Sequence, residues 1–204
     1  MPMPRRIDAR FATLFAFVLL AGVARLLANA PHSPIGHLTP LGAMALFGGA
    51  HLTGRWKAVG LPLLTLWLSD VVLNRFVYFG EWVLFYPGFL WVYGTFALIA
   101  LGGRLLIRPV TPTRVFVAGV AASLTHWLVT DLGVWLGGCT NPATGSLYPH
   151  TLAGYGECLV MALPYFRNFL VGTLAYSGLL FGAFALAEVT FPALTKLRLE
   201  PCST

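Results

Sequence analysis

Long apolar runs separated by short polar breaks constrain this chain more than any other feature. The runs are Phe11–Ala28, Leu41–Leu52, Ala58–Leu73, Val83–Gly103, Val115–Leu136 and Leu159–Ala187. A helix needs ~20 residues to cross the hydrocarbon core of a bilayer, and only the second run is clearly short of that. Extending it over 37–53 gives a marginal span. Its small residues (Gly42, Ala43, Ala45, Gly48, Gly49, Ala50) suit a helix pressed tightly against its neighbours. The expected fold is all-α: a polytopic, six-helix membrane bundle forming a single transmembrane domain over 1–204. Its helices fall at about 11–28, 37–53, 58–74, 83–103, 115–136 and 159–187, with a long outer loop over 137–158. A re-entrant second segment is the alternative.

Only 10% of the residues are charged and 57% are hydrophobic, whereas about a quarter of a soluble domain is charged. The net charge of +6 does not indicate a nucleic-acid partner, because the basic residues sit in short clusters between the runs. Arg5, Arg6, Arg10, Arg55, Lys57, Arg104, Arg108, Arg114, Lys196 and Arg198 all fall on one side if six spans are threaded. That asymmetry predicts an inner-membrane protein with both termini cytoplasmic. The start resembles a secretory signal, with a basic stretch, an apolar core and Ala28-Asn29-Ala30. Pro31 after that site, Arg25 within the run and the length of the run favour a retained first helix.

Prolines mark the joints. Arg108-Pro109-Val110-Thr111-Pro112 predicts a short stiff connection between helices four and five. Pro164 belongs near the start of the last helix, where a missing N–H costs least. Pro62 lies inside helix three, where a kink is expected.

The outer side keeps Arg25, Arg75 and Arg167 against Asp70, Glu81, Asp131 and Glu157. Charges near spans are expensive and face a partner or a wet cavity, or snorkel to water from helix ends. Helical spacing groups them with aromatics: Trp67, Asp70 and Asn74; Trp127, Asp131 and Trp135; Tyr86, Phe89 and Tyr93. Such stripes also serve as interfacial belts. The longest break, Thr130 to Asn168, leads into the last apolar run at Arg167. That arginine is expected to meet an anion or an acid, with Asp70 or Asp131 opposite.

His32 and His37 lie in the first outer loop, His150 in the long one, His126 inside helix five and His51 near the inner end of helix two. No pair has a metal-binding spacing, so no metal site is predicted. Cys139 and Cys158 can close the long loop as a disulfide if the compartment is oxidising; spacing alone does not fix that geometry. Cys202 stands third from the end, outside a prenylation box. No nucleophile elbow, zinc-protease motif, phosphate loop or dinucleotide fingerprint occurs, and no cofactor is indicated.

The runs LTPLGAMALFGGAHLTGRW, PLLTLWLSDVVLN, TDLGVWL and SLYPHTLAGYGECLVMALPYFRNFLVGTLAYSGLLFG resemble an uncharacterised family of small bacterial integral membrane proteins. That family is distantly similar to the substrate-binding S-components of energy-coupling-factor vitamin transporters, including the solitary cobalamin type. The resemblance spans most of residues 25 to 183. It implies six helices around a vitamin-like ligand, capped by the loops joining helices one to two, three to four and five to six. It also implies docking to a coupling transmembrane protein with ATPases through small residues on helix one. Ala12 and Ala16 have that spacing, repeated by Ala24 and Ala28, though an AxxxA pair equally serves packing within a bundle. The cobalt-ligating cysteine of the cobalamin type has no counterpart between Asn74 and Gly88.

The sequence therefore predicts a membrane substrate-binding subunit for uptake of a vitamin or other micronutrient. Asp70, Tyr86, Tyr93, Trp127, Asp131, Trp135 and Arg167 would line its outer pocket, with His32, His37 and Tyr148 closing over it. The alternatives are a membrane enzyme acting on a lipid-like substrate through Asp131 with His126 or His150, and an envelope structural or assembly protein.

Overall fold

The computed structural model describes residues 9–29 and 38–194. Among these the chain is helical, with one isolated antiparallel bridge between Thr140 and Leu147. The helices are α1 (Ala9–Ala28), α2 (Leu41–His51), α3 (Arg55–Leu73), α4 (Phe89–Leu106), α5 (Pro112–Leu136), α6 (Leu152–Met161) and α7 (Leu163–Thr190). Among the described residues five stretches are long and apolar enough to cross a membrane: α1, α3 with the turn after it, α4, α5 and α7. Their outward faces leave Leu20, Leu27, Leu105, Phe116, Leu179 and Leu186 more than half exposed. A water-soluble surface rarely carries so much apolar area, so the surroundings of this bundle are a lipid bilayer.

The second apolar run does not become a long span. α2 has 11 residues, about 16 Å of rise, and every one of them is buried. A helix apolar on all faces belongs in the middle of its bundle, and α2 packs against α1, α3, α4, α5 and α7. Its small residues make that possible. A Cβ on Gly49 would lie 1.9 Å from the Ala100 carbonyl oxygen, and one on Gly103 would lie 2.5 Å from that of Leu46. The α2 and α4 backbones thus touch directly. Gly48 receives Pro62 of α3, and Gly42 receives Thr173 of α7.

α3 runs unbroken through Pro62 and then widens into a π-helical turn, Asn74–Tyr78, closed by Phe79 N–H donating to the Asn74 carbonyl. Pro112 opens α5 beside its N-cap Thr111, whose hydroxyl accepts from Arg114 N–H at 3.3 Å.

The expected loop over 137–158 is shorter, and the last helix begins later than 159. A separate helix, α6, stands between them, capped by the Thr151 hydroxyl accepting from Gly154 N–H. The cause is Pro164. It has no N–H for the Val160 carbonyl and disfavours helical geometry at Leu163, so the helix breaks at Ala162 and restarts with the proline in its first turn.

The two ends of the bundle differ in charge. Arg10 at the start of α1 pairs with Glu188 near the end of α7, and Lys57 lies over the Phe11 ring. Arg108 joins Arg10, His51 and Glu188 around a cavity of about 370 Å³ at this end. The described chain therefore starts and ends on one side. The acids Asp70, Glu81, Asp131 and Glu157 belong to the other.

Candidate functional site

A single arginine within an apolar run must find a counter-charge or leave the hydrocarbon. Arg25 of α1 finds Asp70 of α3, with Nη2 2.6 Å from Oδ1. Both are buried, at 9% and 3% exposure. Arg25 Nη1 donates to the Ser69 hydroxyl at 2.6 Å and to the Leu66 carbonyl at 3.4 Å. Tyr93 of α4 donates its hydroxyl to Asp70 Oδ2 at 2.7 Å. Three helices are thereby tied by one polar cluster whose added hydrogen bonds offset part of the cost of burying the ion pair.

Arg25 forms one wall of a cavity of about 350 Å³ at the acidic end of the bundle. Asn29 and Thr39 line it from the two sides of the first connection, His126, Trp127, Thr130 and Asp131 from α5, and Phe166, Asn168 and Phe169 from α7. The aromatic walls are ordered by stacking. The His126 ring lies nearly parallel to Phe169 at 4.0 Å, and Trp127 packs on Phe166 at 4.8 Å. The Trp127 indole N–H donates to the Leu159 carbonyl at 3.2 Å, which fixes its rotamer. Asn29 is oriented by donating to the Arg25 carbonyl and accepting from the Tyr78 hydroxyl.

The expected site residues divide. Trp127 and Asp131 line the cavity, while Asp70 and Tyr93 stand behind its Arg25 wall. Tyr86 lies in the connection between α3 and α4, in a shallow depression with Phe85 and Trp91. Burial first, and then the Asp70 charge, push its phenol above the ordinary value. Trp135 ties down the long loop instead, donating to the Pro149 carbonyl at 2.8 Å and packing on His150 and Tyr155. Tyr148 is buried within that loop, its N–H donating to the Cys139 carbonyl. His32 and His37 lie outside the described residues.

Arg167 departs from expectation. It is exposed beside Leu163, Pro164 and Asn168 and does not line the cavity. The acid partner expected for it belongs to Arg25, because α1 crosses α3 at the level of Asp70. The signal was present in the sequence: Arg25 is the charge most deeply enclosed by apolar residues, and Asp70 is the most enclosed acid. Sequence reasoning also passed over Asn29, Thr39, Thr130 and Asn168, which reach the cavity only through tertiary packing.

The disulfide open to Cys139 and Cys158 is not formed. Cys139 is an exposed free thiol and Cys158 a buried one. Cys158 instead donates to the Asp131 carbonyl at 3.7 Å, and burial raises its thiol above the ordinary value. Among the described residues no three His, Cys, Asp or Glu side chains group as a metal site. His126 and Asp131 share the cavity without a hydrogen bond between them.

One family model matches residues 5–194, a range that takes in every helix described and both members of the Arg25–Asp70 pair. The chain belongs to the family of unknown function DUF6580. No curated protein and no solved structure matches it.

Proposed function

We propose that this protein is a membrane-embedded binding subunit for the uptake of a small, vitamin-like nutrient, held in the cavity walled by Arg25, Trp127, Asp131 and Phe169. The observation that carries the reading is the cavity itself. It is large enough for a small ring compound, and it sets the rings of Phe96, Trp127, Tyr165, Phe166 and Phe169 beside fixed polar groups, a mixture that small-molecule sites use for affinity and orientation.

The arrangement of the rest of the chain supports transport more than chemistry. Among the described residues the cavity holds no paired nucleophile and base, and the sequence has no motif for nucleotide hydrolysis. Movement of a bound molecule then depends on a coupling transmembrane protein with its own ATPases. Ala12 and Ala16 suit that docking, because both are exposed on one outward face of α1, where small side chains let another helix approach closely. In this reading α2 is the shortened second member of a six-helix S-component-like bundle. The basic end faces the cytoplasm of a bacterial inner membrane with both termini, and the cavity opens outward.

Native mass spectrometry of the gently solubilised chain tests this. A co-purified molecule of vitamin size, lost in Trp127→Ala, is the expected result. A wild-type chain that carries no adduct and takes up none from a vitamin panel sinks the proposal.

A further inference from the structure

The cavity has a sign. Among the described residues only one wall carries a cationic side chain, Arg25, and that guanidinium is already neutralised by Asp70 at 2.6 Å and donates to Ser69 and the Leu66 carbonyl. Asp131 is different. Among the described residues its carboxylate has no ion-pair or hydrogen-bond partner, and only its backbone oxygen is used, by Cys158. Arg167 is exposed outside the cavity, and Arg75 is half-buried away from the lining and donates to the Gly80 carbonyl. With histidine counted neutral, the lining therefore carries one uncompensated negative charge.

The wall next to that charge is aromatic. Trp127 lies one helical turn before Asp131, on the same side of α5, and its ring is held by Phe166 and by its bond to Leu159. A carboxylate beside a fixed indole face is the combination that binds an organic cation. The acid supplies the opposite charge, and the ring quadrupole attracts the same positive centre. An anion meets neither term here, since the charge of the guanidinium that would receive it is already balanced by Asp70.

We infer that the molecule held in this cavity is an organic cation bearing an aromatic or heteroaromatic ring, with Asp131 as its counter-charge and Trp127 as its ring platform. This rests on the binding-subunit reading and adds the charge class of the ligand. A neutral or anionic nutrient would leave Asp131 buried under the ligand without a partner, at a desolvation cost that nothing offsets.

The test uses the full chain in detergent with three small ring probes: benzyltrimethylammonium, benzyl alcohol and phenylacetate. Binding is read as a concentration-dependent rise in melting temperature and as an adduct in native mass spectrometry. The expected result is binding of the ammonium probe alone, weakened about thirtyfold or more in Asp131→Asn and retained in Asp131→Glu. Each variant's melting temperature without probe establishes that it is folded. Phenylacetate binding as tightly as the ammonium probe overturns the inference, as does an Asp131→Asn chain that keeps the ammonium affinity within about twofold. A co-purified molecule that proves neutral or anionic and leaves with Trp127→Ala overturns the charge class while the uptake proposal stands. No adduct and no probe binding sinks both.

Discussion

Arg25 on α1 and Asp70 on α3 meet at 2.6 Å, 45 positions apart in sequence, in a region closed to solvent. Ser69, the Leu66 carbonyl and Tyr93 add further hydrogen bonds to the pair. Removing one partner leaves the other charged and buried, which costs about 3–5 kcal/mol, whereas replacing both with apolar residues is often far milder. Arg25→Met and Asp70→Leu are each expected to lower the melting temperature sharply, and the double variant to recover much of the loss. Thermal unfolding in detergent, run as a double-mutant cycle, checks this; additive losses would mean that the pair does not act as a unit.

The contact between α2 and α4 predicts a contrast between glycines. Gly49→Ala forces a methyl group into the Ala100 carbonyl, while Gly178→Ala meets nothing within 4 Å. Overpacking of this kind costs about 1–3 kcal/mol and sometimes more. Gly49→Ala is expected to express poorly or melt early. Gly178→Ala should be neutral or slightly stabilising, as judged by yield and melting temperature.

Trp135 holds the 137–151 segment through its bond to Pro149. Trp135→Phe keeps the ring but loses the donor, at a cost of about 1 kcal/mol. Limited proteolysis should then cut this segment faster than in the wild type, while a Trp127→Phe chain, altered on the cavity side, keeps the wild-type rate.

Thiol labelling separates Cys139 of the loop after α5 from Cys158 of α6. A maleimide at neutral pH is expected to modify exposed Cys139 first and to leave buried Cys158 largely intact. Equal rates, or no free thiol at either position, would contradict the packing of α6 on α5.

The raised phenol of Tyr86 has a definite sign in stability. Its folded value lies above that of the unfolded chain, about 10, so the neutral form favours the fold. The contribution is complete below the unfolded value and is lost as pH rises beyond it. Melting temperature should hold from neutrality to about pH 9 and fall above pH 10. Tyr86→Phe should flatten part of that fall.

What the sequence determined was local and additive. Apolar runs of membrane-crossing length, prolines that cannot donate and a threonine before Pro112 are each legible one segment at a time, because backbone hydrogen bonding and hydrocarbon thickness act within a segment. So was the separation of charge between the two ends. The stripes of α3 and α5 lie on continuous helical turns, whereas Tyr86 falls before α4 and leaves the third stripe; in none of them was the target visible. Trp67 and Asn74 pin the following loop through Leu84 and Val83, Trp135 pins Pro149, and only Trp127 and Asp131 stay with the cavity.

Tertiary structure decided the partners and the depth. A run of small apolar residues is compatible with a marginal span or a buried core helix, and only the fit of Gly42, Gly48 and Gly49 against three neighbours makes α2 the centre of the bundle. Arg25 and Arg167 are each a lone arginine in or beside an apolar stretch. Which one meets Asp70 depends on which helix crosses α3 at that level, a relation carried by packing across the bundle and by no spacing along the chain.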